Sequence, residues 1–138
     1  MMPPVTHEEA RVLITRDGDI VAARQKGRDL ATQAGFSGSD LTIIATAISE
    51  IARNIVVYAK RGEMSLSVVE KDGRNGILVI ARDDGPGIAD IAKAMRDGFS
   101  TGNSLGLGLP GAKRLMDEFE ITSTVGRGTI VTMRKWKR

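Results

Sequence analysis

The sequence predicts an α+β fold: a two-layer α/β sandwich with helices covering one face of a mixed, mostly antiparallel sheet. Three observations carry this. Residues 39–60 form a long amphipathic helical pattern, and two alternating segments flank the turn Asp72-Gly73. The element order βααββ(α)αββ separates helices from hairpins instead of alternating them with strands.

A short strand is expected at residues 11–15, followed by the turn Arg16-Asp17-Gly18-Asp19. The first helix runs from about residue 20 to 34, with Asp19 as its N-cap and Gly35 just past its end. The second covers 39–60 and stops at Gly62. Strands at 63–71 and 76–82 pair through Asp72-Gly73, a hairpin signal because both turn residues tolerate positive φ. A Gly/Asp-rich stretch at 83–88 leads to a short helix at 89–96 and a loop at 98–109. Pro110 suits the first turn of the next helix, which continues through Met116. Strands at 120–125 and 129–136 close the fold around Gly126-Arg127-Gly128. Residues 1–10 read as a flexible leader and 11–138 as a single domain.

Composition removes whole classes of chemistry. A chain of 138 residues is the size of one ordinary domain and buries roughly 68–70% of its unfolded surface, enough for a core without staples. The absence of cysteine excludes disulfides, thiolate metal sites and cysteine nucleophiles, and a lone histidine excludes any site needing a pair. A net charge of +3 and 4% aromatic residues argue against a nucleic-acid partner. No secretory pattern opens the chain and no run approaches ~18 apolar residues, so a cytoplasmic protein without a membrane partner is expected.

On the long helix, Leu41, Ile44, Ala45, Ile48, Ile51, Ala52 and Ile55 share one face and should be core. Thr42, Thr46, Ser49, Arg53 and Lys60 form an arc expected to face solvent. Glu50 and Asn54 fall on a third arc with Ile43, Ala47 and Val57. Alone, that pair reads either as a surface Glu–Asn pair adding a few tenths of a kcal/mol to the helix or as a base or metal-ligand pair facing a half-buried pocket. Three glycine clusters follow. Asp83-Asp84-Gly85-Pro86-Gly87 succeeds a buried-looking strand, where an Asp can accept from an exocyclic amine, although an ordinary turn reads the same way. Gly106-Leu107-Gly108 opens a helix whose free amides suit phosphate, without the ending of a Walker A loop. Gly126-Arg127-Gly128-Thr129 alone reads as a hairpin turn. Their order is more specific than any one of them.

In that order the motifs resemble the GHKL superfamily, the ATPases and kinases sharing the Bergerat ATP-binding fold. Glu50-Ile51-Ala52-Arg53-Asn54 is similar to its N box, and the three glycine clusters to its glycine boxes, over nearly the whole chain. Ser49 to Asn54, Asp97-Gly98-Phe99-Ser100-Thr101 and residues 109–119 further resemble small serine/threonine switch kinases of the bacterial stressosome. The resemblance implies Glu50 as general base, Asn54 as the protein ligand of Mg²⁺, and Asp83 as acceptor of the adenine amine, supported by Thr129. It implies Gly85 and Gly87 beside the nucleotide, Gly106 and Gly108 offering amides to the phosphates of ATP, and 98–105 as a lid. Its implied partners are STAS-domain proteins, an RsbS-like antagonist and an RsbR-like scaffold, with an RsbU-like phosphatase activated after release. The alternative is a non-catalytic ATP-binding regulator, such as an anti-sigma factor or a phosphatase activator. Two departures stand out. Gly102-Asn103-Ser104-Leu105 lacks the lid arginine of related anti-sigma kinases, leaving Lys113 and Arg114 as candidate phosphate-neutralising cations, and position 58 is Tyr.

Overall fold

The computed structural model describes residues 5–95 and 108–138. Strand β1 (Val5–Ile14) leads into α1 (Asp17–Gln33) and α2 (Ser39–Asn54), which passes into a π-helical turn at Ile55–Ala59. β2 (Gly62–Lys71) and β3 (Arg74–Asp83) precede a single helical turn, α3 (Ile91–Ala94). α4 (Gly108–Leu115), β4 (Glu118–Thr124) and β5 (Gly128–Trp136) complete the described chain. The sheet has five strands in the order β1-β2-β3-β5-β4.

Every pairing among the described residues is antiparallel, so the expected mixed sheet is corrected to an antiparallel one. The reason lies in the route after β3. The chain returns through α3 and α4 to the edge strand β4, then turns back so that β5 fills the place beside β3. The strand at 11–15 is also longer than expected. It begins at Val5 and pairs with Glu70, which places residues 5–10 in the sheet where the sequence suggested a leader. The cause is β2, which offers a complete partner edge out to Lys71.

Local chemistry explains most boundaries. At the start of α1 the carboxylate of Asp19 accepts from the amides of Thr15 (2.8 Å) and Arg16 (3.2 Å), while its own amide donates to the Arg16 carbonyl. Asp19 therefore caps from inside the first turn, as the reciprocal half of a capping box, and the helix starts before it. Asp72 and Gly73 both have positive φ (54° and 78°), the tight hairpin that the sequence predicts. The predicted continuous helix to Lys60 is interrupted: its last turn widens into the π form and closes at Lys60, whose φ is 71°. Such wide turns recur at functional sites.

The core lies between the helices and one face of the sheet. Ile44, Ile48 and Ile51 of α2 share it with Met64, Leu66, Ile77, Val79 and Met133. By length and composition the helical segment Ser39–Ala59 is apolar enough to cross a membrane, contrary to the sequence reading that no run approaches that length. Its apolar stripe is the one buried here against α1 and the sheet, and a core helix passes the same test.

Candidate functional site

The C-terminal half of α2, its π-helical turn, the end of β3, the start of α4 and the start of β5 surround a cavity of about 300 Å³. Glu50, Asn54, Asp83, Gly87, Gly108 and Thr129 all line it. Residues far apart in sequence thus converge, because the sheet register sets Asp83 opposite Thr129 and the core stripe of α2 turns the Glu50 arc toward the same space.

At one end the site is built from strands. Asp83 Oδ1 accepts from the amides of Gly85 (2.9 Å) and Thr129 (3.3 Å), which fixes the carboxylate plane. Asp83 Oδ2 makes no hydrogen bond among the described residues. Thr129 is 8% exposed, and its hydroxyl lies 2.8 Å from Ser123 Oγ. Ser123 Oγ has one proton, and the Gly128 carbonyl, 3.1 Å away, can only accept it. Thr129 must then donate to Ser123, which also accepts from the Ile88 amide at 2.7 Å. This leaves the Thr129 oxygen as an acceptor on the cavity side. Sequence reasoning missed Ser123 because a serine in an edge strand carries no motif.

Two glycines explain the close packing. Gly128 has φ 125°, and a Cβ there would strike the Asp83 carbonyl. At Gly85 a Cβ would stand 2.6 Å from the Ala59 Cβ, so this glycine makes room for the π-helical turn and is not among the residues lining the cavity. The Gly126 amide bonds the Pro86 carbonyl (2.8 Å), tying the last glycine turn to the first glycine cluster.

The other end is helical. Glu50 is 7% exposed and its Oε2 accepts from the Gly108 amide at 3.0 Å, so the carboxylate meets the first turn of α4. A negative charge there is favourable by about 0.3–1 kcal/mol at an exposed terminus and more when partly buried. Asn54 stands one turn beyond Glu50 on the cavity wall. Among the described residues no cluster of three or more His, Cys, Asp or Glu could cage a metal. A lone carboxamide in a pocket suits an ion such as Mg²⁺, which keeps water and substrate oxygens as most of its ligands.

Cations and aromatics on the wall depart from expectation. Lys113 and Arg114 sit at exposed positions of α4 and are not among the residues lining the cavity. Arg53, expected on the solvent arc, lines it, and its Nε is buried without a hydrogen-bond partner. An unmet buried donor costs about 1–3 kcal/mol, more for a charged group. Val57 lines the cavity with Glu50 and Asn54, as their shared arc suggests, while the π-helical turn, which the sequence arcs could not anticipate, adds Tyr58 and Ala59 to the wall. Burial raises the Tyr58 phenol above its ordinary pKa. Asp90 and Lys93 of the α3 turn complete that side. Gly106, the lid at 98–105 and the Asp97–Thr101 motif lie outside the described residues.

Known proteins resemble this chain over most of its length. Residues 15–135 match the family described as the histidine kinase-like ATPase domain. The chain is 51% identical over 132 residues to the serine/threonine-protein kinase RsbT of Bacillus subtilis, covering 96% of this chain and 99% of the relative. It is 33% identical over 110 residues to an anti-sigma F factor of Thermoanaerobacter sp., with 77% of each chain covered. An anti-sigma F factor of Geobacillus stearothermophilus is 35% identical over 103 residues, covering 70% of this chain and 69% of the relative.

Proposed function

This chain belongs to the histidine kinase-like ATPase domain family and is an ATP-binding protein serine/threonine kinase, and we propose that it phosphorylates STAS-domain proteins of a stressosome. The observation that carries this reading is a buried carboxylate, Glu50, at one end of a cavity whose other end presents a fixed Asp83. In the proposed reaction Asp83 Oδ2 accepts from the adenine amine and the Thr129 oxygen faces the same edge. The substrate hydroxyl oxygen attacks the γ-phosphorus, and the bond from that phosphorus to the β-bridging oxygen breaks with its electron pair left on ADP. The hydroxyl proton passes to Glu50. Asn54 would hold Mg²⁺, which when bound supplies charge neutralisation to the phosphates. The Gly108 amide would receive a phosphate oxygen once it leaves Glu50, a role supported by its position at the start of α4. Neither histidine nor cysteine is needed, in keeping with the composition.

The preferred acceptors are serine or threonine on RsbS-like and RsbR-like proteins in the cytoplasm, with release followed by activation of an RsbU-like phosphatase. The test is incubation with ATP, Mg²⁺ and a co-encoded STAS protein, followed by phosphosite mapping. A partner that binds yet stays unmodified overturns the kinase assignment to STAS proteins. The anti-sigma F relatives favour a second reading, capture of a sigma factor with ATP as ligand, and a pull-down against the cell's sigma factors separates the two.

A further inference from the structure

Phosphoryl transfer concentrates negative charge on the moving group, and a site in low dielectric needs a fixed cation there. Among the described residues the cations on the cavity wall are Arg53 and Lys93. Lys93 is exposed on a single helical turn. Arg53 is on the rigid core helix three residues after Glu50, a spacing that sets their Cβ atoms roughly 5–6 Å apart on neighbouring parts of one face. It makes no ion pair among the described residues, although Glu50 is one turn away, and its Nε is buried and unbonded. A buried guanidinium donor without a partner, on the wall of a binding cavity, calls for an anion. A guanidinium also presents several donors in a planar fork that matches phosphate oxygens.

We infer that Arg53 is the cation that engages the γ-phosphoryl group of the nucleotide, a role for which the sequence Gly102-Asn103-Ser104-Leu105 offers no arginine. This rests on the ATP-dependent reading of the cavity and adds to it the residue that reads the third phosphate. It assigns to the N-box helix both the proton acceptor and the neutralising charge. Val57 and Tyr58 of the π-helical turn line the same cavity as Arg53.

The experiment titrates ATP and ADP, each with Mg²⁺, into the full chain and into Arg53→Ala, Arg53→Lys and Arg53→Met. Loss of the γ-phosphate contact weakens ATP about tenfold or more in Arg53→Ala and leaves ADP within about twofold. Arg53→Met keeps the stem packing and shows the same selective loss, so a general fold defect is distinguished. Arg53→Lys retains part of the ATP preference, and free guanidinium at millimolar concentration restores part of it to Arg53→Ala. Equal loss for both nucleotides, an unchanged ATP affinity, or a wild type without preference for ATP over ADP overturns the inference. No partner protein is needed. Failure of the wild type to modify a STAS protein therefore contradicts the kinase reading separately and leaves the nucleotide comparison standing.

Discussion

The two ends of the cavity are built differently. At the Asp83 end the contacts converge on residues set by strand register: Asp83 lies opposite both Gly62 and Thr129, and the Ser123 hydroxyl ties β4 to the Gly128 carbonyl and the Ile88 amide. At the Glu50 end a side chain on one helix meets an amide at the start of another, 58 positions away in the sequence. The first construction changes only if the sheet changes. The second can exchange its hydrogen bond for a ligand's without disturbing the core. Recognition of the base and turnover should therefore separate by region, with affinity for the base residing in the strands, and reading of the third phosphate together with rate in the helices.

The largest effect should come from the helical end. Replacing Glu50 with Gln keeps the shape and an acceptor for Gly108 but removes the proton acceptor. We predict transfer to fall by about 10²–10⁴, with nucleotide affinity changed by no more than about threefold. Single-turnover phosphorylation and nucleotide titration on the same preparation check this, and a matched fall in affinity would break the division. The converse variant is Asp83→Asn. It retains Oδ1 for the Gly85 and Thr129 amides but turns Oδ2 into an amide donor, facing the adenine amine with the wrong polarity. Nucleotide affinity should drop by about ten- to hundredfold, in line with 1.5–3 kcal/mol for a hydrogen bond to a charged group, while the melting temperature stays near that of the wild type.

Ser123→Ala sharpens the comparison further. It removes the shared partner of Ile88, Gly128 and Thr129, so stability should fall by about 1–3 kcal/mol. Nucleotide affinity should weaken by severalfold through the loosened Thr129, as thermal denaturation with and without ATP would reveal. The smallest effect lies outside the cavity. Burial pushes the Asp117 carboxyl up, but the Trp136 amide, the neighbouring Lys135 and the Arg138 guanidinium outweigh it and hold the pKa below the ordinary value. Because the folded pKa is depressed, this group stabilises the fold above the unfolded value of about 3.9, and the contribution fades as pH falls through the lower folded pKa. Acid denaturation of Asp117→Asn should therefore have a shallower pH dependence below about pH 4, with transfer activity at neutral pH unchanged.

Much of this organisation was legible in the residues. The stripe of Ile44, Ile48 and Ile51 fixed which way α2 faces, and Asp72-Gly73 fixed a hairpin and its register. That register in turn sets Asp83 against Gly62, and β5 brings Thr129 to it. Glu50, Asn54, Asp83, Gly87, Gly108 and Thr129 were named from motif order and do meet in one cavity. What escaped was information that exists only after packing. Arg53 seemed solvent-facing on an ideal helix of 100° per residue, but the wall built by the π-helical turn and α3 encloses it. Nothing in Ile55 to Ala59 announces a wide turn, because it is shaped by tertiary neighbours: Ala59 against Gly85 and Ile55 against Gly62. Ser123 was invisible for the same reason, since its worth depends on three groups brought in from other segments.

The placing of β5 between β3 and β4 has a consequence in time. The Thr129 amide donates to the Asp83 side chain at the last register pair of β3 and β5, so its hydrogen should exchange more slowly than one held outside the sheet. The Gly108 amide, held by a carboxylate across a helical contact, is released by local opening. On the proposed reading, an incoming nucleotide meets a base-recognition end already held by strand pairing. The slow steps of the proposed cycle should then fall at the helical end, where Glu50 must give up the Gly108 amide to a phosphate oxygen.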